Sequence, residues 1–104
     1  MFSLDDLAET IARRADAPAG QSYTRSLLDK GATHCARKFG EEAIELTIAG
    51  AAEGEASVRA EAADVLYHLL VLLKARDVPL ASVMAELDGR TRQSGHQEKA
   101  SRES

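Results

Sequence analysis

The sequence of 104 residues predicts an all-α fold of four main helices in one domain, and three observations carry that prediction. Apolar residues recur at helical spacing along most of the chain, both prolines fall at the ends of those stretches, and no alternating β-branched run offers a strand. With no Trp, two Tyr and two Phe, the core must be built from Leu, Val, Ile and Ala. Such side chains let helix axes approach closely, but a chain of this size buries little more than about 60% of its unfolded surface. A homodimer of helical protomers is therefore expected.

Ser3, with Asp6 three residues on, is a capping-box-like start, and Leu4, Leu7, Ala8, Ile11 and Ala12 form one stripe, so a first helix runs to about Ala15. Asp16-Ala-Pro-Ala-Gly20 breaks it, because Pro18 disfavours helix at the residue before it and Gly20 permits a turn. Ser22 or Thr24 could then cap a short helical turn ending at Gly31, a segment in which ligand contacts are expected. A second main helix runs from Ala32 to about Ala52, with Ala36, Phe39, Ala43, Leu46 and Gly50 as its apolar stripe. Gly40 inside it costs roughly 1 kcal/mol against Ala, which suggests close approach of another backbone or a ligand.

A third helix, from about Glu55 to Arg76, is apolar almost all round in its second half and so is expected to be central and buried on most sides. Pro79 stands in the first turn of a fourth, whose stripe is Leu80, Val83, Met84 and Leu87. From about residue 93 the chain is polar and aperiodic, a tail of the same single domain.

Composition excludes several classes of function. The net charge of −4 argues against a nucleic-acid partner, and the longest apolar run, Leu69 to Leu73, is too short to span a membrane. Cys35 is the one cysteine, so neither an internal disulfide nor a multi-thiolate zinc site is available, and a buried small side chain is its expected role. The start Met-Phe-Ser-Leu-Asp-Asp has neither a basic nor an apolar signal region, and a cytoplasmic protein is expected.

The chemistry is concentrated in Lys38-Phe-Gly-Glu41-Glu42-Ala-Ile-Glu45 and in Glu61-Ala-Ala-Asp64. At about 100° per residue, Glu41, Glu42 and Glu45 share an arc of about 100°, while Glu61 and Asp64 lie about 60° apart. Each arc adjoins apolar side chains, and acids three or four residues apart on one helix repel. Carboxylates converging from two helices without a Cys or His cluster form a hard-cation site, suited to Mg²⁺ or Mn²⁺. His68, one turn beyond Asp64, is a ligand, an orienting group or a core histidine. Such a site presents phosphate oxygens to a nucleophile, which makes phosphoanhydride hydrolysis the leading chemistry.

Glu42-x-x-Glu45 followed by Glu61-x-x-Asp64 resembles the metal-binding signature of the MazG-like all-α nucleoside triphosphate pyrophosphohydrolases. Within that superfamily, Ser22-Tyr23-Thr24, Leu27-Leu28, Gly31, Lys38-Phe-Gly-Glu-Glu, Glu61-Ala-Ala-Asp-Val-Leu-Tyr-His68 and Ser94-Gly-His-Gln-Glu98-Lys99-Ala-Ser-Arg102 resemble the phosphoribosyl-ATP pyrophosphatase family of histidine biosynthesis. The likeness runs from about residue 3 to 102, and departs from the family at Thr33-His34-Cys35. It implies an intertwined all-α dimer and hydrolysis of the small-molecule nucleotide phosphoribosyl-ATP at its α/β-phosphoanhydride. It also implies a role for the tail in substrate or dimer contacts.

On that expectation Glu42, Glu45, Glu61 and Asp64 hold the metal, and Glu41 is the candidate to take the proton of the attacking water. Lys38 and Arg25 are candidate phosphate contacts, as a point charge and a bidentate fork, with Lys99, Lys30 and Arg90 behind them. Lys38 could equally pair with Glu41 or Glu42, Arg25 could be a surface residue, and Tyr23 could stack on a base or simply pack. Two other functions fit the same acids: a housecleaning pyrophosphatase of free or damaged triphosphates, and a non-catalytic helical dimerisation module.

Overall fold

The computed structural model describes residues 1–92, and these form five α-helices without a strand. Lys99 and the rest of the tail motif lie outside the described residues. Helix α1 (Leu4–Ala15) opens with the expected capping box: the Ser3 hydroxyl accepts from the Asp6 amide at 3.1 Å, and the Ser3 amide donates to the Asp6 carboxylate at 2.9 Å. Helix α2 (Tyr23–Asp29) is the short turn placed there by sequence, and its cap is Ser22 rather than Thr24, the Ser22 hydroxyl accepting from the Arg25 amide at 3.1 Å.

Helix α3 (Ala32–Ala52) starts at Gly31, whose φ of +95° turns the chain sharply out of α2 and is a conformation that L side chains rarely adopt. Helix α4 (Glu55–Ala75) follows after only Glu53 and Gly54. So short a link forces the two long helices into an antiparallel hairpin. At the far end of α4 the Val78 amide donates to the Leu73 carbonyl at 2.9 Å and the Asp77 amide to the Lys74 carbonyl at 3.1 Å. This is a Schellman stop, with Asp77 at φ +55° in the place glycine usually takes. Helix α5 (Leu80–Thr91) has Pro79 as its N-cap, one residue earlier than the first-turn position expected, because Pro79 enters in extended conformation at ψ 142°.

The core is small and lies where α1, α2 and the open end of the hairpin meet. Ile11, Leu27, Cys35, Leu70 and Val71 pack together, with Leu4, Leu7, Leu28 and Leu73 around them. Each fully buried aliphatic contributes roughly 1.5–3 kcal/mol, and truncating Ile11 to Ala would cost about 2–5 kcal/mol. Cys35 takes its expected buried role, its thiol donating to the Leu27 carbonyl at 3.3 Å while burial pushes its pKa up and keeps it inert.

Two expectations change. Helix α4 does touch α1, α2 and α3, but only His68, Leu70 and Val71 are buried along it, and Leu66 is exposed. A side chain built at Gly40 would meet no heavy atom within 4 Å, so nothing in the described protomer approaches that glycine.

Candidate active site

The hairpin brings the acids together by simple counting. Glu45 stands seven residues before the end of α3 at Ala52, and Glu61 six residues after the start of α4 at Glu55, so the two are level. Glu42 and Asp64, ten and nine residues from the same ends, are level about one turn further along. Glu42, Glu45 and Glu61 each place a carboxylate oxygen within 4.8 Å of the other two. Asp64 lies outside that trio but close enough for its charge to act on both Glu42 and Glu61.

The electrostatics are those of crowded acids. Desolvation raises the Glu42 pKa above its ordinary value, and the neighbouring carboxyl of Glu45 and the charges of Asp64 and Glu61 raise it further. Glu61 is raised in the same direction by desolvation, then by Glu45, Asp64 and Glu53. One oxygen of Glu61 is buried with no hydrogen-bond partner. A carboxylate oxygen so placed costs free energy unless something donates to it or coordinates it.

Lys38 does not meet this trio directly. Its ammonium pairs with Glu41 at 3.2 Å, and that bond is the main reason its pKa is raised. Of the roles open to Glu41 in the sequence, partnership with Lys38 is therefore the one the structure displays. His68 is buried, and burial, aided by the Lys38 charge and opposed by Asp64 and Glu41, holds it below its usual value and hence neutral. Its Nδ1 is buried without a partner, and it does not join the carboxylate trio.

Beside Lys38 lies an aromatic group. The Tyr23 and Tyr67 rings run nearly parallel, 15° apart with centroids separated by 6.4 Å, and His68 meets both edge-on. Tyr67 is anchored by a 2.6 Å hydrogen bond shared with the buried hydroxyl of Thr24. Sequence reading gave Tyr67 no role, although its position three residues after Asp64 sets it on the same side of the helix. Arg25 is committed to the scaffold: Nε pairs with Asp29 at 3.2 Å, and Nη1 donates to the Ala17 carbonyl at 2.7 Å, tying the α1–α2 loop to α2.

A family profile described as Phosphoribosyl-ATP pyrophosphohydrolase matches residues 4–91. The chain belongs to the phosphoribosyl-ATP pyrophosphohydrolase family. Similar members include the Phosphoribosyl-ATP pyrophosphatase of Azorhizobium caulinodans, 58% identical over 97% of this chain and 93% of its own length. Phosphoribosyl-ATP pyrophosphatase 1 of Bradyrhizobium diazoefficiens is 59% identical, covering 97% of this chain and 95% of its own. That of Dinoroseobacter shibae is 54% identical over 98% of this chain and all of its own length. The phosphoribosyl-ATP pyrophosphohydrolase span takes in all five helices, the four acids of the hairpin and the Tyr23–Tyr67 pair, and ends before Lys99.

Proposed function

We propose that this protein hydrolyses phosphoribosyl-ATP to phosphoribosyl-AMP and pyrophosphate, the second step of histidine biosynthesis, with Mg²⁺ as its cofactor. The observation that carries the reading is the meeting of Glu42, Glu45 and Glu61 across the α3–α4 hairpin in a chain of this family. The donor set fits a hard divalent ion, Mg²⁺ or Mn²⁺, because it is all carboxylate oxygen. A partnerless buried oxygen on Glu61 and raised pKa values at Glu42 and Glu61 are the signs of a site short of positive charge. Glu42, Glu45, Glu61 and Asp64 would hold the ion. When bound, it supplies positive charge to the triphosphate oxygens and makes water acidic enough to attack at neutral pH.

The remaining work falls to this chain's own side chains. Lys38, half-buried beside the acids, offers its remaining donors to phosphate oxygens while Glu41 holds the ammonium in place. Glu41 takes the proton of the attacking water as the α/β-anhydride opens. Tyr23, exposed and braced by Tyr67, offers a face to the purine, Arg25 fixes the loop beneath it, and Lys99 adds a phosphate contact from the tail.

The working unit is a homodimer in the cytoplasm. Helix α5 buries no residue, its Met84 and Leu87 are exposed, and Ile44, Ile48 and Leu66 leave further apolar surface on the hairpin. No described helix is long and apolar enough to cross a membrane, so a lipid bilayer is not what covers them by spanning. The deciding experiment measures magnesium-dependent pyrophosphate release from phosphoribosyl-ATP beside ordinary nucleoside triphosphates. Strong preference for phosphoribosyl-ATP is expected. Equal or faster release from ordinary triphosphates would assign the protein to housecleaning, and release from neither would leave it a binding module.

A further inference from the structure

A second concave feature adjoins the carboxylates, a cleft of about 460 Å³ between the end of α1 and the start of α2, with Arg14, Gln21, Ser22, Tyr23 and Tyr67 in its lining. Its walls are held before any ligand arrives. The Arg25–Ala17 bond pins the loop, Ser22 is fixed as the cap of α2, and Thr24 holds the Tyr67 hydroxyl. The aromatic group stands between this cleft and the helix face that carries Asp64. Tyr23 and Tyr67 wall the cleft, His68 meets both rings, and the Lys38 charge acts on His68 while its ammonium bonds Glu41, the neighbour of Glu42. On the function proposed above, a nucleotide with its triphosphate on the acids would set its purine against the exposed Tyr23 ring, which is also a wall of this cleft.

Arg14 supplies the charge. Among the described residues its guanidinium makes no ion pair and no side-chain hydrogen bond; Arg37 and Arg76 share that state, but of the three only Arg14 lines the cleft, whereas Arg13 bonds Thr10, Arg25 bonds Asp29 and Ala17, and Arg59, Arg90 and Arg92 each pair with an acid one turn away. In a protein of net charge −4, an unpaired guanidinium beside an aromatic cleft has a full fork of donors for an anion. The competing explanation is that a cation in the last turn of α1 suits the helix dipole, a role Arg13 shares.

We propose that this cleft takes the ribose 5-phosphate arm carried on the purine of the substrate, with Arg14 binding its phosphate and Tyr23, braced by Tyr67, offering its face to the purine. The assignment rests on the function proposed above and adds to it the group that distinguishes phosphoribosyl-ATP from ordinary ATP. The test compares Arg14→Ala and Arg14→Lys with the wild-type protein, with phosphoribosyl-ATP as substrate and with phosphoribosyl-AMP and AMP as inhibitors. Loss of a charge-assisted phosphate contact is expected to raise KM about tenfold or more, with kcat changed much less. Inhibition by phosphoribosyl-AMP should weaken by the same factor, inhibition by AMP, which lacks the arm, should not, and Arg14→Lys should recover part of the loss. Equal weakening of both inhibitors, an unchanged KM, or a lower melting temperature with unchanged KM would overturn the assignment. A wild-type protein that fails to hydrolyse phosphoribosyl-ATP removes the function and the cleft assignment together. Normal wild-type hydrolysis with an indifferent Arg14→Ala variant removes the cleft assignment alone.

Discussion

Glu45 and Glu61 stand level on opposite arms of the α3–α4 hairpin, and a carboxylate oxygen of each lies within 4.8 Å of the other. Acids held so close, with Glu42 as a third, repel one another, a cost that the divalent ion of the proposed function would offset.

Neutralising one of them should therefore separate stability from activity. Glu42→Gln and Glu61→Gln are each expected to melt a few degrees higher than wild type without magnesium, while losing nearly all turnover with it. Calorimetry and a pyrophosphate-release assay check both. Wild-type turnover in either variant under saturating magnesium would remove that residue from the site.

The same acids set a pH dependence. Because Glu42 and Glu61 have raised pKa values in the folded protein, it holds protons on them where the unfolded chain has already lost them. Metal-free stability is thus greatest below the ordinary carboxylate range and falls as pH rises through the raised values. Magnesium bound as proposed would compete with those protons, so its stabilising increment should grow as pH rises through the raised carboxylate values. Melting curves with and without magnesium across that range measure it, and an increment independent of pH would contradict the assignment.

Glu41 and Glu42 are neighbours with different expected roles. Glu41→Gln should lower kcat by at least about a hundredfold while magnesium binding, read by titration calorimetry, stays close to wild type. Its bond to Lys38 is exposed, so the melting temperature should hardly change. Loss of magnesium binding would make Glu41 a ligand instead.

Thr24 and Tyr67, 43 residues apart, are joined by a 2.6 Å hydrogen bond. Thr24→Val leaves the tyrosine hydroxyl unsatisfied and should cost about 1–3 kcal/mol. Adding Tyr67→Phe should return part of that loss, because both polar partners are then gone. Urea denaturation of the two single variants and the double variant completes the cycle, and strict additivity would mean the bond is energetically idle.

Assembly is tested on α5. If the homodimer proposed above packs through this helix, Met84→Lys with Leu87→Glu should shift it to monomer in analytical ultracentrifugation, since both side chains are exposed on a helix none of whose residues is buried. Unchanged mass in the double variant would place the dimer contact elsewhere.

Much of this protein was determined by its sequence alone, because the determinants are local. Ser3 with Asp6, Ser22, Gly31 and Pro79 mark helix ends within a turn of where they act, and the stripe through Leu4, Leu7, Ala8 and Ile11 falls on the face of α1 that meets the core. The meeting of Glu42, Glu45 and Glu61 was legible too, since they are spaced by the helical period and a two-residue link leaves the hairpin little choice of register, whereas Asp64, expected beside them, lies outside the trio. Tertiary structure alone decided which partners the charged and aromatic groups take. That Arg25 bonds Asp29 and Ala17, and that Arg14 finds no partner among the described residues, is settled by how the α1–α2 loop folds back, and that Tyr67 joins Tyr23 and Thr24 follows from packing between segments far apart in the chain. Helical periodicity says which way a side chain faces, but only the assembled neighbours say what it finds there.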